Sequence, residues 1–287
     1  MLASIGHFLA SHAIALFMLS VGLRTGHVIL REMVTTRRTM TLRALAAVWI
    51  GVPLLTLALL YVLRPGPLDA ATLMVMAICP GVPLLLRKSD KAHGDRDTAL
   101  IVLIAALLTA VVLTPAWAAL LRQFTPLHLV VAPRDELAVV LPKVLLPFAL
   151  GRIVHHLAPR LAAPLAKVAN ALFLVGVAAI LIAVIVKRPI SLSDLSGRGA
   201  IAAFLIALGS ALLGYMSTRG PIGERSAIAF AGAFGNPMLA LTILAQSYSF
   251  EAFSLIGIYI VIRTLAFVPF SLWLNHERKH HQGLTYA

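Results

Sequence analysis

Beyond its first few residues the chain alternates between long apolar runs and short polar gaps. The runs cover approximately 8–23, 44–63, 69–86, 99–121, 137–154, 165–186, 200–216, 226–247 and 252–274. Each approaches the ~20 apolar residues a helix needs to cross the hydrocarbon of a bilayer. None alternates apolar and polar positions with a period of two, and lipid offers exposed backbone groups no partner, so the runs read as helices. The pattern predicts an all-α membrane protein with nine transmembrane helices.

Two of the runs are interrupted. In "CPGVPLLLRKSD", residues 79–90, an apolar run meets Pro80, Gly81 and Pro83, with Arg87 and Lys88 close behind. Each proline lacks an N–H donor and crowds the preceding turn, and glycine gives up side-chain packing. In "AFAGAFGNPMLAL", residues 229–241, Asn236 and Pro237 are expected as N-cap and first position of a new helix inside the eighth run. The two interruptions occupy matching places, each followed by one long run, 99–121 and 252–274. Paired breaks in two halves point to an inverted-repeat transporter with two crossed discontinuous helices. Such half-helices would turn unpaired N–H groups and positive dipole ends toward an anion. The competing reading is that the prolines only kink packed helices. Arg87 and Lys88 would then snorkel at the interface.

Composition supports the membrane assignment. The 287 residues are 60% hydrophobic and 12% charged, about half the roughly 25% charged share of a soluble domain. The formal net charge of +13 does not indicate nucleic acid, because the basic residues sit in the gaps between apolar runs. Cys79 is the single cysteine, and no Cys/His spacing suggests zinc.

Charge placement gives an expected orientation. With the N-terminus outside, 16 Lys and Arg fall in the inner segments 24–43, 87–98, 152–167, 217–225 and the tail from Asn275. Six fall in the outer gaps, and Lys143 and Arg263 lie within runs. The bias favours an outward N-terminus and a cytoplasmic C-terminus in the inner (plasma) membrane, as an odd number of spans requires. The first run is preceded by no Lys or Arg, which argues against a cleaved signal peptide.

The order of motifs resembles the bile acid:sodium symporter family. "FMLSVGLRTGHVIL" resembles its early span ending in an "MGL" type sequence, and "MAICPGVP" its "PGG" crossover motif. "HGDRDTAL" resembles the stretch that follows, "LPKVLLPFALGRIVHHLAP" a later span, and "ERSAIAFAGAFGNPMLAL" the second crossover. The resemblance covers essentially the whole chain except the family's usual first span. It implies a panel of helices at about 8–23, 137–154 and 165–186. Against it would move a core at about 44–63, 69–93, 99–121, 200–216, 226–247 and 252–274. It also implies sodium-coupled uptake of organic anions.

The residues depart from that last implication. The family's Ser-Asn after the first break falls on Leu85 and Leu86, and its next hydroxyl falls near Ala99. The Glu and Gln of the second crossover fall on Phe230 or Ala231 and Phe234 or Gly235, leaving Asn236 as the matching polar ligand. All 11 acidic residues stand at run ends or in gaps. Sodium needs several oxygen donors, generally with a carboxylate, and a proton relay needs an intramembrane acid. No cofactor is expected, and ligands for sodium are not evident.

Arg263 stands near the centre of "LIGIYIVIRTLAFVPFSLW". An isolated arginine there costs from about 2.5 kcal/mol upward, so it should face a partner or a watery cavity. It is either bonded to carbonyls freed by the breaks or a fixed cation for an anionic substrate. Lys143 is expected to snorkel, and His155 and His156 to be surface charges at an inner boundary. No nucleophile–base pair or phosphate-cradling loop appears, so the chain is not read as an enzyme.

The sequence therefore predicts a secondary transporter for a small or amphipathic organic anion, embedded in the bilayer. The expected substrate-binding residues are Pro80, Gly81, Pro83, Asn236, Pro237, Arg263 and Arg87. Backbone at the breaks would supply donors, Asn236 an amide and Arg263 the counter-charge. The alternatives are a sodium-coupled symporter that uses backbone ligands, and a non-transporting sensor or assembly module that kept the fold.

Overall fold

A computed structural model describes residues 2–81, 95–124, 133–187, 196–247 and 251–283, and these are helical except for short connections. In chain order the helices are α1 (Leu2–Arg24), α2 (His27–Val34), α3 (Arg38–Leu63) and α4 (Pro67–Ala77). Then follow α5 (Arg96–Phe124), α6 (Pro133–Leu157), α7 (Pro159–Lys187) and α8 (Gly197–Met216). The last are α9 (Ile222–Ala233), α10 (Pro237–Ser247) and α11 (Glu251–Gly283).

Among the described residues, five helices are long and apolar enough to cross a membrane: α3, α5, α7, α8 and α11. They become six if the pair His12–Arg24 and His27–Val34, bent by 90°, counts as one span. Large apolar side chains such as Tyr61, Val62, Leu146, Leu161 and Leu272 stand exposed on the outside of the bundle, the surface an integral membrane protein turns toward lipid.

The sequence explains where elements start and stop. Pro67 and Pro237 open α4 and α10, where a missing N–H costs nothing and the fixed φ is already helical. Ser196 caps α8, its hydroxyl accepting from the Gly199 amide at 2.9 Å. Within α3 a π-helical turn spans Ala47–Gly51. Trp117 donates its indole N–H to the Trp49 carbonyl there at 2.9 Å, and Trp49 in turn donates to Thr109 at 2.9 Å.

The helices pack in two groups. In the first, α1 lies against α6 and α7. A Cβ on Gly22 would sit 2.2 Å from the Phe148 carbonyl oxygen, and one on Gly151 2.5 Å from that of Leu19. Small residues thus bring two backbones together, which is how helices associate where hydrophobic drive is absent. Ser20 donates to the Ala166 carbonyl at 3.0 Å and Phe17 packs on Phe173, tying α1 to α7. The second group contains α3, α4, α5, α8, α9, α10 and α11, with α8 against α9 its tightest seam. There Gly214 and Gly232 admit the carbonyls of Ile228 and Ser210, each 2.6 Å from where a Cβ would stand.

Polar contacts mark two ends of the bundle. At one end Arg152 donates to the Thr25 carbonyl, His155 Nδ1 lies 2.8 Å from the Leu23 carbonyl, and Arg37 pairs with Asp95 at 2.9 Å. The Asp95 amide donates to Gly223 at 2.9 Å at this same end. At the other end Asp69, Ser196 and Tyr259 come together. The first end carries Arg24, Arg37, Arg96, Arg152 and Arg225, the segments in which the basic residues concentrate. His155 is a correction to its expected role as a surface charge: it is half-buried and faces the end of α1.

Candidate functional site

The two interrupted segments touch. After α4 the chain loses helical geometry at Ile78, and Cys79, Pro80 and Gly81 follow as irregular, buried backbone. Gly81 has φ +92°, which L side chains rarely adopt, and a Cβ there would meet Leu107 at 2.8 Å. After α9 the chain straightens at Phe234 and restarts at Pro237. The Asn236 side-chain oxygen accepts from the Leu239 amide at 3.2 Å, capping α10.

The contact between the breaks is made by backbone. The Asn236 amide donates to the Cys79 carbonyl at 2.5 Å. Gly235 lies against the end of α4, where a Cβ would be 2.1 Å from the Met76 carbonyl oxygen. Thr114 of α5 donates to the Ile78 carbonyl at 3.0 Å. The backbone groups released by broken helices thus find partners within the protein, as they must where no water reaches. Asn236 is fully buried.

Arg263 lies on the buried face of α11, 1% exposed. Its Nε and Nη2 have no hydrogen-bond partner among the described residues. The expectation that these nitrogens bond to carbonyls freed by the breaks is not met: the Ile78 and Cys79 carbonyls accept from Thr114 and Asn236 instead. One turn along α11, about 6 Å in rise, Phe267 packs on Phe230 and Phe234, with ring centroids at 4.1 and 5.5 Å. Phe234 is the first residue of the second break, so the turn of α11 next to the arginine packs against the crossing. One turn the other way stands Tyr259, fully buried.

Tyr259 leads to a residue that sequence reasoning passed over. Its hydroxyl donates to Asp69 Oδ1, and Ser196 donates to Asp69 Oδ2. Asp69 is in the first turn of α4, yet it is 4% exposed. Gly199 makes room for it: a Cβ there would lie 2.7 Å from both Asp69 Cγ and the Tyr259 oxygen. The available signal was an acid placed two residues into a helix rather than before it, where a free N-terminal turn favours it. Burial of that turn by α8 and α11 is a tertiary event that the local sequence does not announce.

Of the expected site residues, Pro80, Gly81, Asn236 and Pro237 come together at the crossing and Arg263 lies beside it. Pro83 and Arg87 lie outside the described residues, as do Leu85 and Leu86. Ala99 is fully buried, and Phe230 and Phe234 belong to the aromatic cluster with Phe267, Phe270 and Trp273. No group of three or more His, Cys, Asp or Glu that could hold a metal ion occurs among the described residues.

Comparison with known proteins covers the first break and Asp69 but not the second break or α11. The sequence model described as the Sodium Bile acid symporter family matches residues 12–195, which run from α1 through α7 and include the first break. No curated protein matches the chain.

Proposed function

The chain belongs to the sodium bile acid symporter family, and we propose that it is a secondary transporter for a small or amphipathic organic anion, working by alternating access without sodium. The observation that carries this reading is the crossing itself. Two helix breaks share a backbone hydrogen bond, and α11, whose Phe267 packs on the second break, carries a buried, incompletely partnered arginine one turn along. A cation held out of water without its donors satisfied costs free energy that an anionic ligand would recover.

In this reading the chain has nine spans related as an inverted repeat in the inner (plasma) membrane, with the N-terminus outside and the C-terminus cytoplasmic. The close packing of α1 on both α6 and α7 supports their role as the panel, with α6 meeting the other helices chiefly along α5. The remaining helices form the core that carries the site. Pro80, Gly81, Pro83, Asn236 and Pro237 shape the crossing, Arg263 holds the anion, and Arg87 assists from the segment after the first break. Transport, not catalysis, is its activity.

Sodium is set aside because the donor set is thin. The Ile78 and Cys79 carbonyls already accept hydrogen bonds, and the positions matching the family's ligands carry Ala99, Phe230 or Ala231, and Phe234 or Gly235. Hydrocarbon cannot replace the hydration shell of a hard cation.

Uptake of cholate, benzoate and benzenesulfonate into proteoliposomes, with and without an inward sodium gradient, tests the reading. Flux of at least one anion that the gradient leaves unchanged is expected. Sodium-stimulated flux would favour a symporter using backbone ligands, and no flux of any anion would favour a non-transporting module.

A further inference from the structure

In the enclosed polar chain Ser196–Asp69–Tyr259 the carboxylate stands between two hydroxyls, Arg263 lies one turn along α11 from Tyr259, and the formal charges of Asp69 and Arg263 sum to zero. Asp69 and Arg263 are 4% and 1% exposed. The carboxylate accepts from two hydroxyls, Tyr259 and Ser196, and makes no direct salt bridge to the arginine among the described residues. Arg263 keeps Nε and Nη2 open. The pair of buried charges is thus neutral in sum while the cation retains open donor positions.

Adding a monoanion at Arg263 breaks that balance. The compartment would hold one cation and two anions, and net charge in a region shielded from water is strongly disfavoured. A proton on Asp69 restores neutrality with no further ion. This rests on the anion-transport reading above. We propose that Asp69 is the proton carrier of the transporter, so that each anion docked on Arg263 crosses with one proton on Asp69.

The surroundings suit that role. Asp69 stands in the first turn of α4, near the bundle end, and half-buried Ser196 links it toward that end. A proton arriving from water there binds one carboxylate oxygen. The hydroxyl that donated to that oxygen rotates to accept, because a hydroxyl can do either. When the anion leaves on the opposite side, the proton leaves with it and Asp69 returns to carboxylate.

Among the described residues, the titratable group in contact with Asp69 is Tyr259 of α11, with Arg263 one turn further along that helix. Arg198 of α8, and Tyr61 and Arg64 at the end of α3, are exposed. α10 carries no titratable side chain, and Asp69 is the one such group on α4. Among the described side chains Asp69 is the fully buried acid, so the proton has one carboxylate to occupy.

Anion binding measured across pH tests the proposal. Affinities of cholate, benzoate and benzenesulfonate are determined by calorimetry on detergent-purified protein from about pH 5 to about pH 9. One linked proton makes affinity fall by up to tenfold per pH unit as pH rises. That fall is expected in wild type, retained in Asp69→Glu and lost in Asp69→Asn. Tyr259→Phe, which deletes one of the two hydroxyl donors, should displace the profile along the pH axis. A flat wild-type profile, an unchanged slope in Asp69→Asn or an undisplaced one in Tyr259→Phe overturns the proton role while leaving anion binding intact. Failure of wild type to bind any of the three anions overturns the transport reading, and the coupling with it.

Discussion

The backbone amide of Asn236 donates to the carbonyl of Cys79 at 2.5 Å, joining residues 157 positions apart in sequence at the point where two helices lose their own ladders. A helix end inside a membrane must find partners for its open groups. Here each interruption partly serves the other. The bond also fixes the depth of the restart at Pro237 relative to the end of α4.

The closeness of that contact makes Gly235 irreplaceable. A Cβ at this position would stand 2.1 Å from the Met76 carbonyl oxygen, which is backbone and cannot swing aside. Gly235→Ala should destabilise the protein by about 1–3 kcal/mol or more, the usual cost of overpacking a filled interior. Gly257→Ala is the matched control: nothing lies within 4 Å of its Cβ position, and helix propensity predicts up to about 1 kcal/mol of stabilisation. Thermal unfolding in detergent should move in opposite directions for the two.

The seam between α1 and α6 offers a second test. Gly22→Leu would drive a side chain into the Phe148 backbone, since even a Cβ there lies 2.2 Å from its carbonyl oxygen. If α1, α6 and α7 form a panel, the lesion should loosen that group first. Hydrogen exchange should rise in α1, α6 and α7 while the amides of α8 and α9 keep wild-type protection.

At the basic end Arg37 predicts a pH effect. Asp95 is held below the usual carboxylate range: burial pushes it up, but hydrogen bonds from Thr98 and Arg37 together outweigh that. A carboxylate lowered in the folded state stabilises above its unfolded value and loses that contribution as pH falls through its folded one. Arg37, raised chiefly by its hydrogen bond to Asp95, stays charged throughout. Asp95→Asn should therefore lower the melting temperature at about pH 7 and lower it less at about pH 3, because the carboxylate's contribution shrinks as pH falls. An equal gap at both pH values would contradict the assignment.

Much of the helical layout was legible because lipid removes alternatives. Hydropathy located the helices, and Pro80, Gly81 and Asn236–Pro237 located both breaks, since these residues carry their backbone consequences wherever they occur. The Asn236 cap was readable for the same local reason. What escaped was set by packing between distant elements. Asp69 reads as an ordinary first-turn acid until α8 and α11 close over it. His155 reads as a surface charge until α1 presents its last carbonyls. Thr114 carries no signal of its own, because a threonine in an apolar helix usually bonds back within its own helix, whereas this one reaches Ile78. The arginine was conspicuous from the start, but the open state of its Nε and Nη2 depends on which carbonyls its neighbours had already taken.

The most direct test is anion uptake by Arg263→Gln in sodium-free proteoliposomes beside wild type. Charge-assisted hydrogen bonds are worth about 1.5–3 kcal/mol, so loss of the guanidinium should weaken half-saturation by roughly 10–150-fold in protein that still folds. Unchanged affinity and flux in a folded Arg263→Gln protein would contradict the account.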